Sequence, residues 1–268
     1  MTAGSFPLTG LFRLGSRRAR FLVERNVYVY RHTWIVIFSG FFEPLFYLGS
    51  IGFGLGALVG TIDGPGGQPI PYQLFVAPAL LASAAMNGAI FEGTFNFFFK
   101  LRYNKTFDSI LSTPMAPGDV AVGELVWAQI RGGIYAIGFL LVMALLGLIA
   151  SPWVILALPG ALLIGFAFGA ISMAATSFMR TWQDFDLVQL VILPLFLFSG
   201  TFYPIDAYPE GLRLLVRLTP LYQGVDLLRS LVVGHMEWSL LWHVAYLGAM
   251  GIVGLLIVER RLDKLLLK

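Results

Sequence analysis

Six long apolar runs dominate this chain, and they leave few folds open. They cover residues 33–58, 72–99, 120–149, 153–179, 187–203 and 240–258. An α-helix rises 1.5 Å per residue, so about 20 residues cross about 30 Å of hydrocarbon. Only the run at 187–203 falls short of that length. Inside a bilayer every backbone N–H and C=O must find a partner within the protein, which restricts crossings to helices or closed barrels. A barrel strand alternates apolar and polar residues over about 10 positions, whereas these runs are apolar on all sides. Charged residues make up 12% of the chain, against about 25% in soluble domains. The expected fold is therefore an all-α membrane protein with six transmembrane helices, forming one domain over residues 1–268.

Lysine and arginine in the short connections set the orientation. The leader, residues 1–32, carries Arg13, Arg17, Arg18, Arg20, Arg25 and Arg31 against Glu24 alone. Leu8, Leu11, Phe12, Leu14, Phe21 and Leu22 are interleaved with them. That mixture suits an interfacial amphipathic helix with snorkelling arginines, the alternative being a disordered basic leader. Lys100, Arg102 and Lys105 follow the second run, and Arg260, Arg261, Lys264 and Lys268 form the tail. The connection 59–71 has neither lysine nor arginine. Leader, second connection and tail are expected in the cytoplasm, with both termini there, in a multi-pass protein of the cell inner membrane. Segment 204–239 is then external although it carries Arg213, Arg217 and Arg229. Gly200, Pro204 and Pro209 break helix there, yet Leu212, Leu214, Leu215, Val216 and Leu218 are too apolar for a free loop. Two short stretches divided by Thr219-Pro220 fit re-entrant helices, from which the arginines reach headgroups.

Three features invite a functional reading. In segment 100–120, Asn104 or Thr106 is a candidate cap for a short helix with Asp108 in its first turn, stopped by Pro114 and Pro117. Phe107, Ile110 and Leu111 share one face of it, either on a lever that inserts into a cytoplasmic partner or on a turn resting against the membrane. Glu43, Glu92, Glu124 and Arg131 lie inside apolar runs, where a charge costs about 2.5–3.5 kcal/mol on insertion scales. They suit a polar substrate path, or a static pair of Arg131 with Glu43 or Glu92. Glu43 directly precedes Pro44, which frees a carbonyl and favours a kink. Gly52, Gly54, Gly56 and Gly60, and the Gly165–Gly169 pair, allow close helix approach, at a subunit interface or within one bundle.

Other chemistry is missing from the sequence. There is no cysteine, no phosphate-binding Gly-x-x-x-x-Gly-Lys-Ser/Thr loop and no His-Glu-x-x-His pair. No catalytic or metal-binding residue is expected. His32, His235 and His243 lie near run ends and read as headgroup-facing. An ion-coupled secondary transporter would call for matched broken helices in two halves. An intramembrane enzyme would call for a nucleophile–base pair. Neither pattern stands out.

Four motifs resemble those of the type-2 ABC exporter permeases, in the branch related to nodulation-factor (lipo-oligosaccharide) and daunorubicin-type drug exporters. They are Glu43-Pro-Leu-Phe-Tyr-Leu-Gly-Ser-Ile-Gly-Phe-Gly-Leu-Gly56, then Phe91-Glu-Gly-Thr94 with Lys105-Thr-Phe-Asp-Ser-Ile-Leu-Ser-Thr-Pro114, then Phe198-Ser-Gly-Thr-Phe-Tyr-Pro-Ile-Asp206, and Pro220-Leu-Tyr-Gln-Gly-Val-Asp-Leu-Leu-Arg229. The likeness implies a permease subunit of an ATP-driven exporter of an amphipathic or lipid-linked substrate, working with a separate ATP-binding cassette ATPase subunit that binds ATP and Mg. It implies a second permease copy, contact with membrane lipids and no nucleic acid. Lys105, Thr106, Phe107, Asp108, Ile110, Leu111 and Thr113 become a coupling helix, with Phe107 and Ile110 filling a groove of the ATPase. Gly200, Tyr203, Pro204, Pro220 and Arg229 become an external gate.

Overall fold

The computed structural model describes residues 18–31 and 42–266. Residues 1–17, with Arg13 and Arg17, residues 32–41, with His32 and the start of the first apolar run, and residues 267–268, with Lys268, lie outside the described residues. Among the described residues the main helices follow one another in chain order. They are α1 (Ala19–Tyr30), α2 (Phe42–Val59), α3 (Tyr72–Tyr103), α4 (Thr106–Leu111), α5 (Pro117–Leu145), α6 (Pro152–Thr176), α7 (Phe185–Leu197), α8 (Glu210–Leu218), α9 (Pro220–Val233) and α10 (Ser239–Leu266). Between α2 and α3 lies an antiparallel hairpin, β1 (Thr61–Asp63) and β2 (Pro69–Pro71), with Ile62 opposite Ile70. The apolar pattern did not signal this hairpin.

Five of these helices, α2, α3, α5, α6 and α10, are long and apolar enough to cross a membrane. Their ends fall where the backbone demands. Pro117 and Pro152 sit in the first turns of α5 and α6, where a missing N–H leaves no bond unmade. Asp119 Oδ2 accepts from the Ala116 N–H at 2.9 Å, and Ser151 Oγ accepts from Trp153 N–H at 3.3 Å. The second and last crossings outrun the apolar runs. α3 carries Lys100 and Arg102 on its final turn, and α10 continues through Arg260, Arg261 and Lys264.

Contacts define two ends of the bundle. At one end the Tyr72 N–H donates to Gly60 O, and the Ala150 N–H donates to Val232 O at 3.2 Å. At the other, Arg102 Nη2 donates to Met179 O at 3.0 Å and Arg261 Nη2 to Ser177 O at 3.2 Å. Arg18 on the leader donates to Pro114 O at this same end.

The fifth apolar run, 187–203, is built differently. α7 has 13 residues, about 20 Å of helix, and Pro194 falls inside it. It starts at the Arg102 end. There Asp184 Oδ2 accepts from the Arg180 and Thr181 N–H groups at 2.7 and 3.1 Å, and these bonds hold its carboxyl below the usual range. By Phe202 the chain has reached the other end, where Tyr72 Oη donates to Phe202 O at 3.0 Å. The intervening residues are irregular, and buried partners serve them. Gly200 O accepts from Arg229, and the Ser199 and Thr201 hydroxyls pair at 2.7 Å. This is how non-helical backbone survives away from water.

α8 and α9 are the two short helices expected of segment 204–239, divided at Thr219, whose Oγ1 accepts from Tyr222 N–H at 3.4 Å. α9 is largely buried against α3, α6 and α10. Arg229 corrects one expectation, because it does not snorkel. It is 5% exposed and serves as an internal strut. His243 corrects another: it is buried between α9 and α10 instead of facing headgroups.

The core is apolar and close-packed. α6 and α10 approach closely, and a Cβ at Gly254 would lie 2.7 Å from the Ala170 and Ile171 backbone. Gly169 of the Gly165–Gly169 pair lies against Leu125 and Ala89, and Gly165 faces Gln129. Among the described residues, both glycines of this pair serve packing inside the bundle.

Candidate functional site

Two antiparallel helices, α3 and α5, carry two buried charge pairs. Glu92 and Lys100 lie about two turns apart on α3, and Arg131 and Glu124 about two turns apart on α5. The antiparallel arrangement therefore brings both opposite pairs into register. Arg131 pairs with Glu92, both under 10% exposed, and Lys100 Nζ meets Glu124 Oε2 at 2.5 Å. A lone buried ion would be far costlier than either pair. Glu92 Oε2 also accepts from Asn96 Nδ2 at 2.8 Å, and Arg131 Nη2 donates to Tyr135 Oη at 3.2 Å.

Glu92 opens a π-turn spanning Glu92–Asn96. Such a turn leaves carbonyls out of the regular ladder and recurs at functional sites. Here the Thr176 hydroxyl donates to Gly93 O at 2.9 Å. A Cβ at Gly93 would strike Ser172 Oγ at 2.0 Å and Gly169 O at 2.8 Å, so only glycine lets α3 meet α6 at this depth.

The leader helix α1 packs on α5 beside this charge ladder. Asn26 is 1% exposed. Its Nδ2 donates to Glu124 Oε1 at 3.4 Å, and its Oδ1 accepts from Lys100 Nζ at 3.5 Å. Tyr30 offers its ring to the Arg131 guanidinium at 5.1 Å and packs on Trp127 at 5.2 Å.

Beside the Glu92–Arg131 pair lies a cleft of about 460 Å³ between α2, α3, α5 and α7. Glu43, Asn87, Glu92, Arg131, Tyr135 and Gln189 give it a polar side. Leucines, alanines and the rings of Phe91, Phe95, Phe139 and Phe196 give it apolar walls. Asn87 Oδ1 is buried without a hydrogen-bond partner, which is costly unless something else meets it. The cleft therefore matches a ligand with both polar and apolar parts.

Of the residues singled out from sequence, the cleft gathers Glu43, Glu92 and Arg131, while Glu124 lies apart on the Lys100 pair. Asn26, Asn87, Tyr135 and Gln189 were missed. Their only signal was a neutral polar side chain inside or beside an apolar run.

The short helix α4 also departs from expectation. Neither Asn104 nor Thr106 caps it. The N-cap is Lys105, in the left-handed region at φ 47°, with no side-chain cap bond. Phe107 is fully buried, its ring 5.1 Å from that of Phe97 and packed with Leu22, Val258 and Leu262. Phe107 thus fills this chain's own core, and Ile110 and Leu111 lean on the same cluster. The apolar face docks inward, leaving Lys105, Asp108 and Thr113 exposed beside half-buried Thr106.

At the opposite end, Arg229 Nε donates to Phe75 O at 3.0 Å and Nη2 to Gly200 O at 2.7 Å, with the guanidinium 3.7 Å from the Phe75 ring centre. Gly200 has φ 68°, a conformation that favours glycine. Tyr203 rests 5.0 Å from the Tyr208 ring, Pro204 is half-buried, and Pro220 opens α9. Gly200 and Arg229 therefore meet directly, whereas Tyr203, Pro204 and Pro220 flank them.

The family model described as "ABC-2 type transporter" matches residues 17–233. A protein named Nodulation protein J from Sinorhizobium fredii is 32% identical over 226 residues, 84% of each chain. Its namesake from Rhizobium leguminosarum bv. viciae is 29% identical over 248 residues, 92% of each. That from Rhizobium meliloti is 33% identical over 195 residues, 72% of each. With its helical membrane architecture and a match across most of its length, this chain belongs to the ABC-2 type transporter family.

Proposed function

We propose that this chain is the transmembrane subunit of an ATP-driven exporter, carrying an amphipathic or lipid-linked molecule from the cytoplasmic side outward across the cell inner membrane. The observation that carries this reading is the cleft, where a charge pair and the unmet Asn87 oxygen face aromatic and aliphatic walls. A lipo-oligosaccharide has both chemistries. Its sugar hydroxyls and amides would answer Asn87, Gln189 and Glu43, and its acyl chain would lie along the phenylalanines.

In this reading ATP and Mg are bound by a separate ATPase subunit, and two permease copies sit above two such subunits. The polar side of α4, with Lys105, Asp108 and Thr113, meets the ATPase. Buried Phe107 transmits the push to α1, α3 and α10, whose side chains share its cluster. The Gly200–Arg229 tie is where the outer segment opens. Six crossings with both termini inside follow if α7 and the irregular stretch after it count as one passage.

The test is transport in proteoliposomes holding the permease with its ATPase. ATP-dependent movement of a lipo-oligosaccharide is expected, reduced at least about tenfold by Asn87→Leu with Gln189→Leu, as suits loss of buried polar contacts. Transport that runs on an ion gradient without the ATPase would sink the reading. Unchanged transport in the double variant would remove the cleft from it.

A further inference from the structure

A polar triad of His243, Gln223 and Asp226 joins α9 to α10, away from the residues that line the cleft. His243 of α10 is 6% exposed. Its Nδ1 contacts Gln223 Oε1, and its Nε2 lies 3.1 Å from Asp226 Oδ2, both partners on α9. The Asp226 contact is an ion-pair contact and not an aligned hydrogen bond. The orientation of Gln223 is set independently, because its Nε2 donates to Arg217 O at 2.5 Å. Its Oε1 is therefore the end that faces the ring.

Both ring nitrogens thus face oxygens. A neutral imidazole has one N–H and one lone pair. If Nδ1 carries the hydrogen, the bare Nε2 lies 3.1 Å from a carboxylate oxygen. If Nε2 carries it, the Nδ1 lone pair points at an amide oxygen. Either tautomer leaves a bare ring nitrogen close to an oxygen that offers it no hydrogen, in a buried place where unmet polar groups are costly. One added proton resolves the conflict, whether it is drawn on the imidazole or shared with the carboxylate.

We infer that His243 and Asp226 form a proton-binding site whose occupancy pins the outer helix α9 to α10. The other charged and titratable groups around it are Tyr222 and Arg229 on α9, Arg217 on α8 and Tyr246 on α10. Residues 152–176 of α6, which also pack on α10, contain no titratable side chain. The proton belongs to the docked arrangement, so docking is favoured at low pH and weakens as pH rises. Asp226 is about one-third exposed, which gives the proton a route to solvent. The inference stands whether or not the transport reading above is right.

The chain has no cysteine, so single-cysteine labelling tests it directly. Leu240→Cys places a thiol at a buried position one turn before His243. Trp238→Cys, at a position 88% exposed, corrects for the pH dependence of the thiol itself. The full-length chain in lipid vesicles is treated with a membrane-impermeant maleimide. The Leu240→Cys rate relative to the reference should rise at least about threefold between about pH 6 and pH 8.5. Asp226→Asn replaces the carboxylate with an amide that donates to a neutral imidazole, so the ratio should stay low and flat. His243→Gln should flatten it as well. A flat ratio without either substitution overturns the inference, and so does a rise that persists in Asp226→Asn or His243→Gln.

Discussion

At the scale of single residues, each buried charge among the described residues has a partner. Arg131 and Glu92 stand where either ion alone would be deeply unfavourable, and removing one partner of such a pair costs about 3–5 kcal/mol. Arg131→Glu alone should abolish the folded protein, measured as the monodisperse fraction after extraction in detergent. Adding Glu92→Arg should restore a substantial part of it. If the double reversal is as damaged as the single one, the pair does not carry the stability assigned to it. Arg229 makes a parallel case at the other end, with two carbonyls and a ring on one guanidinium. Lysine keeps the charge but not the planar fork, so Arg229→Lys should lower stability by about 1.5–3 kcal/mol, seen in thermal unfolding. The charges were legible in the sequence because each interrupts an apolar run. Their partners were only half legible. Arg131 faced two candidate glutamates, and nothing in the string favoured Glu92 over Glu43. Asn26 and Asn87 were invisible because a neutral amide barely disturbs an apolar pattern.

At the scale of elements, the bounds of α5 and α6 were readable to within a few residues, since apolar length and proline position decide them. The ends of α3 and α10 were misjudged because a helix continues past the hydrocarbon as long as its backbone bonds are met, whatever the charge of its side chains. α4 was recognised by its apolar triplet, but the triplet could not say which body it docks on. The answer lies in Leu22, Phe97 and Val258, from three separate parts of the chain. Phe107→Ala should therefore destabilise the permease itself by about 3–5 kcal/mol, in thermal unfolding without any ATPase present. Full stability in that variant would return Phe107 to a partner's groove. Glycines separate in the same way. Gly254→Ala puts a methyl against the α6 backbone, which cannot rotate away as a side chain can, and should cost about 1–3 kcal/mol. Gly248, on the same helix, has open space around it. Gly248→Ala should be neutral, or more stable by up to about 1 kcal/mol from helix propensity. Equal effects of the two in a side-by-side unfolding series would show that propensity, and not α6–α10 contact, governs this face.

At the scale of the whole molecule, the question is whether the passage through α7 counts as a crossing. Its helix is about 20 Å long, short of about 30 Å of hydrocarbon. The chain nevertheless leaves the end marked by Arg102 and Met179 and reaches the end marked by Tyr72 and Phe202. The difference is made up by backbone held on Arg229, Tyr72 and paired hydroxyls, a device that composition could not reveal because glycine and proline there read only as helix breakers. If this passage spans, the exposed turn after α4 and the exposed start of α10 lie on opposite sides of the membrane. Ser112 and Trp238 mark these two places. In the cysteine-free chain, Trp238→Cys should react with an impermeant thiol reagent from the outside of intact cells, and Ser112→Cys only in inverted vesicles. Labelling of both from one side would mean that α7 turns back within the bilayer. The count would then be five, and α8 and α9 would move from the outer to the inner face.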